Sequence, residues 1–301
     1  MTHLIKRLFR LFVFAVIAIY LLQDYMIFFP VRLTEPPALP VLNGRLLEHV
    51  TFPAGDGTLL TGVWMSVASQ AAAPGSSIQA PASSTVSSPG PRSSGRPVIL
   101  FSHGNAGNLT SRLPRLVEAF AQLPVDVLLY DYRGYGRSDG RQSVSGLKSD
   151  VRGAISYLKT VRKVPIDRII LYGESIGSGA AVSGAEDYLA EIGGIVVESG
   201  FRSLKVRAGS RFPVIGPLVL AENMDNERTL SHYEGPLLII HSRDDGVIPF
   251  SDGKALFDIC HSRKKRMCEL SGVGHNDPVW RLPVYLAVWR EFLADSFPGA
   301  I

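Results

Sequence analysis

Cysteine is the scarcest chemically distinctive residue of this chain, with only Cys260 and Cys268 among 301 residues. Two cysteines cannot form a disulfide framework, and they do not indicate a metal site. The two thiols could pair across a short loop in an oxidising compartment or remain free, and the sequence leaves this open. The fold must therefore rest on apolar burial, for which 46% hydrophobic residues are sufficient.

A concentrated charge of one sign is also missing. The net charge is +4, and Lys and Arg are scattered except at the N-terminus and in residues 263–266. Because that run lies between a helix-like and a strand-like segment, we interpret it as a solvated loop. A nucleic-acid-binding protein would gather its basic residues on one face. The sequence therefore predicts no nucleic-acid partner, and it indicates no cofactor and no particular protein partner.

The longest apolar run is short for a membrane span. Residues 11–22 are apolar apart from one tyrosine, and a Gln-Asp pair separates them from residues 25–29. Basic side chains ahead of the run can reach back to the membrane surface and extend its usable length; they are Lys6, Arg7 and Arg10. A helix over residues 6–29 would measure about 36 Å at about 1.5 Å per residue.

We therefore expect residues 1–30 to form an uncleaved transmembrane signal-anchor. A helix that lies on the membrane or is buried against protein is one alternative, and a cleaved signal peptide is another, although no small-x-small cleavage site follows the run. Basic residues ahead of an apolar run tend to stay in the cytoplasm. The prediction is a single-pass membrane protein with a cytoplasmic N-terminus and the rest of the chain on the non-cytoplasmic side.

Strand-like and helix-like patterns alternate along most of the remaining chain. After a proline-containing connector at residues 31–44, residues 45–297 are predicted to form one domain. The alternation indicates an α/β fold with a mostly parallel sheet and helices on both faces. Residues 70–96, rich in Ala, Ser, Pro and Gly, are predicted to be a disordered insertion, and residues 201–233 a cap segment. Asp277 before Pro278 predicts the start of the last helix.

A Gly-x-Ser-x-Gly motif at residues 173–177 stands between a strand-like run and a run of small residues. A sharp strand-to-helix turn puts the central serine in strained backbone and exposes its Oγ above the sheet. Glycines are needed on both sides because a side chain there would collide with the turn. The Ile176 N–H then lies at a helix N-terminus, where it favours a developing oxyanion. Ser175 is the predicted nucleophile.

A nucleophilic serine needs a base, and the base needs an acid that orients it. Residues that follow parallel strands meet at one edge of the sheet. His275, in a glycine-flanked loop after the last strand-like run, is the predicted base. Asp245, where the chain turns sharply after the preceding strand, is the predicted acid. The order Ser, Asp, His is that of the α/β-hydrolase fold.

Alternatives exist for these assignments. Asp244 and Glu198 also follow strand-like runs and are the alternatives to the predicted acid. His103 and His241 are rival histidines, the first placed before the serine and the second expected to pack at a strand end. A second oxyanion donor is expected from the loop after an earlier strand, and the N–H of Asn105 is the best candidate.

These segments together resemble the α/β-hydrolase superfamily, and more closely its membrane-anchored "α/β-hydrolase domain-containing" serine hydrolases, with their serine aminopeptidase-like domain. The matching segments run in the family's order and cover about residues 45–295: Ser-His-Gly-Asn-Ala-Gly-Asn at 102–108, Asp-Tyr-Arg-Gly-Tyr-Gly-Arg-Ser at 131–138, Gly-Glu-Ser-Ile-Gly at 173–177, Asp-Gly-Val-Ile-Pro at 245–249 and Gly-His-Asn-Asp at 274–277. The insertion at residues 70–96 departs from the family pattern.

The expected function is cleavage of carboxylic esters or thioesters through an acyl-enzyme, with a small-molecule or lipid-like acyl substrate. A peptidase or amidase on the same fold and a non-catalytic binding protein are the alternatives. One branch of the family deacylates proteins and carries an N-terminal cysteine cluster. Since this chain has no cysteine before Cys260, that substrate is not inferred. A serine rather than a carboxylate at position 175 argues against dehalogenases and epoxide hydrolases.

Overall fold

The computed structural model describes residues 2–68, 95–211 and 220–298, together with 213 and 216. The strands are β1 (Arg45–Pro53), β2 (Leu59–Val67), β3 (Val98–Ser102), β4 (Asp126–Tyr130), β5 (Ile169–Glu174), β6 (Gly194–Glu198), β7 (Leu237–Ser242) and β8 (Lys265–Leu270). The α-helices are α1 (Thr2–Ile27), α2 (Leu113–Glu118), α3 (Val144–Thr160), α4 (Ile176–Gly184), α5 (Leu204–Arg211), α6 (Asn226–Leu230), α7 (Phe250–Ile259) and α8 (Pro283–Ser296).

Within these residues, eight strands form one sheet in the order β1-β2-β4-β3-β5-β6-β7-β8. β1 and β2 form an antiparallel hairpin, and β2 is also antiparallel to β4. All later neighbours are parallel. The central strands are apolar and buried along their length, as is expected when helices cover both faces. The predicted α/β architecture is confirmed.

Helices pack on both faces of the sheet and leave its carboxyl edge to loops. On one face, α3 and α4 are buried together with Leu230 of α6 and Leu256 of α7. On the other face, α2 and α8 contribute Leu116 and Trp289 to a second apolar cluster. Every residue of α4 is buried, which its small side chains permit. The residues that follow β3, β5, β7 and β8 are thereby brought to one side of the domain.

Most of α1 lies exposed, with large apolar side chains such as Phe9, Phe14 and Leu21 more than half accessible. Its last turns contact the domain: the Gln23 side chain accepts a hydrogen bond from the Ala221 N–H at 3.0 Å. By length and hydropathy, no helix in the described part of the chain qualifies to cross a membrane. The anchor stays a prediction.

The segment after α1 follows the surface of the domain. Phe28 is buried, and the N–H groups of Val31 and Leu33 donate to the carbonyl oxygens of Gly107 and Gly136, each at 2.9 Å. The predicted insertion at residues 70–96 lies outside the described residues except for its last two positions, as do 212, 214, 215 and 217–219 of the predicted cap segment.

The last helix begins at Pro283 and not at Pro278, so the predicted start was wrong. Asp277 does not cap a helix, because its carboxylate accepts the Gly274 N–H at 2.6 Å. Residues Val279–Arg281 form a separate 3₁₀ turn. The Asp277 carboxylate therefore stabilises the loop that carries His275.

Candidate active site

The Gly-x-Ser-x-Gly motif forms the turn between β5 and α4. Ser175 has φ 54° and ψ −119°, a conformation that residues with side chains rarely adopt. A Cβ at position 173 would lie 2.4 Å from the Gly177 carbonyl oxygen, and one at position 177 would lie 2.0 Å from the Ser102 carbonyl oxygen. The Ser175 N–H donates to the Glu198 carbonyl oxygen at 2.9 Å, which anchors the turn to β6.

The side chains predicted as nucleophile, base and acid form one hydrogen-bonded series. They follow β5, β8 and β7, at the carboxyl edge of the sheet. The Ser175 Oγ lies 3.0 Å from His275 Nε2, and His275 Nδ1 lies 2.7 Å from Asp245 Oδ2. With a neutral imidazole, Nδ1–H donates to the carboxylate and Nε2 accepts from the hydroxyl. This arrangement lets the histidine remove the serine proton.

The turn after β7 holds the Asp245 carboxylate in place. Its Oδ1 accepts the N–H groups of Val247 at 2.9 Å and Ile248 at 2.8 Å, which leaves Oδ2 for His275. Burial alone would raise the pKa of Asp245, but the hydrogen bonds from His275 and from the two backbone N–H groups outweigh burial and lower this pKa. Asp245 is therefore an anion at neutral pH.

The two alternative acids have other partners. The Asp244 carboxylate accepts the Gly272 N–H at 2.6 Å, in the loop that leads to His275. Glu198 forms an ion pair with Arg115 at 3.0 Å and accepts the Tyr172 hydroxyl at 2.8 Å. The described contacts thus bring Asp245, and neither alternative, to the histidine.

The two rival histidines are both buried. His103 donates from Nδ1 to the Gly104 carbonyl oxygen at 2.8 Å, and its Nε2 lies 3.5 Å from Asp131. His241 lies at the end of β7, as expected, with Nε2 donating to the Ile248 carbonyl oxygen at 3.0 Å. Its position beneath the Asp245 turn indicates a packing role. Cys260 and Cys268 are free, buried thiols.

The two predicted oxyanion donors border the same cavity as Ser175 and His275. Ile176 is the first residue of α4, so its N–H has no partner within the helix. Asn105 lies in the loop after β3, next to Ala106 and Gly107, which have φ of 65° and 72°. The structure therefore places both residues at the rim of the serine site.

Glu174, directly before the serine, connects the elbow to the loop after β3. Its carboxylate accepts the Gly104 N–H at 3.2 Å and lies 3.3 Å from Arg115 and 3.5 Å from Arg112. Burial alone would raise the pKa of Glu174, but the two guanidinium groups hold it below the usual range. The negative charge of Glu174 is therefore compensated before any substrate arrives.

The cavity above Ser175 has a volume of about 370 Å³. Apolar side chains form much of its wall: Phe29, Ile176, Phe201, Leu204, Val247 and Ile248. Arg112 and Arg207 add two cationic groups, and Arg207 donates to the Val247 carbonyl oxygen at 2.6 Å. The predicted cap segment contributes Phe201, Leu204 and Arg207.

Two features of the site were missed by sequence reasoning. Phe29 belongs to the N-terminal apolar run, and no pattern in that run distinguishes it from its neighbours. Arg115 lies in a helix that the sequence shows only as amphipathic, yet it is buried between Glu174 and Glu198. The available signal was an arginine flanked by the apolar residues Leu113, Leu116 and Val117.

The chain is similar in sequence to known proteins. A family model described as serine aminopeptidase, S33, matches residues 93–221. Protein bem46 of Schizosaccharomyces pombe is 30% identical over 207 residues, which cover 67% of this chain and 68% of that protein. Alpha/beta hydrolase domain-containing protein 17C of Xenopus tropicalis is 32% identical over 206 residues, 68% of this chain and 64% of that protein, which is less than two thirds of its length.

Solved structures show the same architecture. The esterase Pf2001 of Pyrococcus furiosus superposes with a TM-score of 0.61, covering 87% of this chain and 98% of that chain at 15% identity. The acetyl xylan esterase of Paenibacillus sp. R4 also gives 0.61, covering 86% of each chain at 17% identity. At these identities the likeness concerns the fold alone.

Proposed function

The chain belongs to the α/β-hydrolase superfamily, with the α/β-hydrolase domain-containing proteins as relatives, and we propose from this premise that it is a serine hydrolase cleaving carboxylic esters or thioesters. The observation that carries the proposal is the hydrogen-bonded series from Ser175 through His275 to Asp245 at the floor of a cavity. A binding protein without activity would not need this series intact.

In the proposed reaction, Ser175 Oγ attacks the carbonyl carbon while His275 Nε2 takes the hydroxyl proton. The tetrahedral intermediate collapses, the bond to the leaving oxygen or sulfur breaks, and His275 returns the proton to the leaving group. Water then attacks the acyl-enzyme while His275 Nε2 takes one of its protons. The second tetrahedral intermediate collapses, the bond to Ser175 Oγ breaks, and His275 returns the proton to Oγ as the carboxylic acid leaves. Asp245 stays ionised, holds the imidazole tautomer and stabilises the imidazolium.

The oxyanion of both tetrahedral intermediates is assigned to the N–H groups of Asn105 and Ile176. Both residues border the cavity beside Ser175. A donor of this kind contributes on the order of 100- to 1000-fold to kcat, because it stabilises charge that exists only in the transition state. The helix dipole of α4 acts in the same direction.

The charges around the cavity favour an ester over the substrate of an aminopeptidase. An aminopeptidase must bind a free α-ammonium group, for which it needs an unpaired carboxylate. Among the described residues that line this cavity the carboxylate is Glu174, and it is already paired with Arg112 and Arg115. Arg207 adds further positive charge. A cationic substrate would be repelled, whereas a neutral ester would not.

We further propose that α1 holds the protein to a membrane and that the acyl group is lipid-like. The exposed apolar side chains of α1 and the basic residues near its start are the surface chemistry that a bilayer binds. Phe29, two residues after the end of α1, contributes to the apolar cavity wall, which suits an aliphatic acyl chain. The proposed orientation keeps the N-terminus in the cytoplasm and the hydrolase domain on the other side.

Labelling with a fluorophosphonate probe tests the serine assignment. We expect the full-length protein to be labelled and to hydrolyse p-nitrophenyl butyrate, and the Ser175→Ala and His275→Ala variants to lose both properties. Ser156→Ala, at an exposed position of α3, is the matched control and should behave as wild type. A folded wild-type protein that neither reacts with the probe nor hydrolyses the ester would rule out the proposal. Labelling of Ser175→Ala would mean that the nucleophile is a different residue.

Substrate type is decided by comparing an N-acetyl-alanine p-nitrophenyl ester with an alanine p-nitroanilide that has a free amino group. We expect turnover of the ester only. Efficient cleavage of the anilide would instead support the peptidase.

Membrane attachment is tested by flotation with phosphatidylcholine–phosphatidylserine vesicles. Flotation should succeed for wild type and fail after replacement of Phe9, Phe14 and Leu21 by serine. Protease digestion of the domain from the cytoplasmic face would contradict the orientation.

A further inference from the structure

The Asn105 side chain connects the loop after β3 to the segment that follows α1. Its Oδ1 accepts the Phe29 N–H at 3.1 Å and the Tyr135 hydroxyl at 2.9 Å. Its Nδ2 donates to the Ile27 carbonyl oxygen at 2.5 Å. The amide of one residue thus binds the backbone on both sides of Phe28.

The same segment is attached to this loop at further points. Phe28 is 2% exposed and belongs to the main apolar core. The Val31 N–H donates to the Gly107 carbonyl oxygen at 2.9 Å, and the Asn108 side chain donates to the Val31 carbonyl oxygen at 3.1 Å. Residues 27–31, which we call the N-terminal clamp, therefore lie along the loop at residues 105–108.

The loop has a conformation that requires such support. Ala106 has φ 65°, in the left-handed region that costs energy for a residue with a side chain, and Gly107 follows at 72°. Strained backbone persists only where the surroundings hold it. Besides the clamp, the loop is held by the Glu174 carboxylate at the Gly104 N–H and by the Arg112 guanidinium, which donates to the carbonyl oxygens of Asn105 and Ala106 at 3.3 Å each. The Asn105 N–H, the proposed oxyanion donor, lies between the Glu174 attachment and the clamp.

We propose that the N-terminal clamp positions the oxyanion loop and that Asn105 is the positioning residue through which it acts. The inference rests on the proposed function, since it concerns the same serine site. The clamp is continuous with α1, so the placement of that helix and the rate of acyl transfer are coupled. A displacement of about 1 Å at a catalytic donor can cost about 100-fold in rate.

Full-length Asn105→Ala is the first test, with p-nitrophenyl acetate as the probe. We expect kcat per active site to fall about 10- to 100-fold while KM changes little. A trifluoromethyl ketone, which forms a tetrahedral adduct with the serine, should bind more weakly by a similar factor. A purely structural role would lower the titratable fraction of active sites and leave kcat per site unchanged, and that result would overturn the proposal.

Phe28→Leu loosens the clamp without touching the loop. We expect it to lower kcat per site, whereas Phe52→Leu, a matched change at another buried position of the same core, should not. If the clamp acts through Asn105, the double variant Asn105→Ala/Phe28→Leu should be no slower than Asn105→Ala alone. Multiplicative effects of the two changes would overturn the inference. If the effects are multiplicative but Ser175→Ala loses probe labelling, the clamp proposal fails and the proposed function stands. A wild-type protein without activity would overturn both the proposed function and the clamp proposal.

Discussion

Replacement of Asp245 by asparagine is a sharp test of the site because two backbone N–H groups determine the orientation of the new side-chain amide. In the structure, Oδ1 accepts two N–H groups, from Val247 and Ile248. An amide NH₂ in that place would meet two donors, so the asparagine must keep its oxygen there. Its NH₂ then occupies the position of Oδ2, 2.7 Å from His275 Nδ1.

An amide donor at this position reverses the histidine tautomer. His275 Nδ1 must accept the new hydrogen bond, so the ring proton moves to Nε2, which faces Ser175 Oγ at 3.0 Å. A protonated Nε2 cannot take the serine proton. We expect kcat to fall about 10⁴-fold, which corresponds to about 5 kcal/mol in the activation barrier. The two backbone hydrogen bonds remain, so the protein should fold.

The assay is ester hydrolysis per folded molecule, with melting temperature measured in parallel. Asp244→Asn is the control: its partner is the Gly272 N–H, which an asparagine oxygen can accept equally well. We expect that variant to stay within about threefold of wild type, as surface changes usually do. The reasoning is refuted if Asp245→Asn keeps more than about a tenth of the activity, far above the loss expected for a triad acid, or if the control is the more damaged variant.

Three other predictions concern the support of the site. Gly177→Ala places a methyl group 2.0 Å from the Ser102 carbonyl oxygen, so probe labelling and soluble yield should both fall; wild-type labelling would contradict so close an approach. Arg115→Met leaves the buried Glu198 carboxylate unpaired, and urea unfolding should show a loss of about 3–5 kcal/mol, whereas unchanged stability would mean that the carboxylate is already neutral. Because the pKa of Glu174 lies below its usual 4.5, the ionised group stabilises the fold above that pH and loses this effect as the pH falls. The melting temperature of Glu174→Gln should therefore decline less steeply with acid than that of wild type, and parallel curves would disprove this.

Much of the architecture could be predicted because its signals are local. Strand-like runs bounded by turn residues predict the order of β3 to β8, and buried parallel strands read as continuous apolar runs. The elbow at Ser175 is equally local, since its two glycines and the serine lie within five residues. Asp245 and His275 follow from strand ends and chain order, and the structure brings both to the serine.

The two missed features depend on contacts between residues far apart in the chain, whereas the wrong helix start has a local cause. An apolar run has the same sequence pattern whether its side chains face solvent, lipid or a protein core. Phe14 is exposed, whereas Phe28 is buried, yet both belong to the N-terminal run. Asp277 was taken for a helix cap because capping is a local signal, but a competing local partner, the Gly274 N–H, uses its carboxylate instead.

The two halves of the site are therefore stabilised in different ways. At the elbow, the carbonyl oxygens of Gly177 and Ser102 leave no room for a side chain at positions 173 and 177, so changes there act by direct collision and damage folding and activity together. The loop that contains the strained Ala106 is held by hydrogen bonds, from the nearby Arg112 and from two partners distant in sequence, Ile27 and Glu174. Loss of such a partner removes no core volume and leaves the sheet intact, yet it frees the loop to move. Variants that lose turnover while keeping their stability should accordingly concentrate at the partners of the oxyanion loop, and not at the elbow.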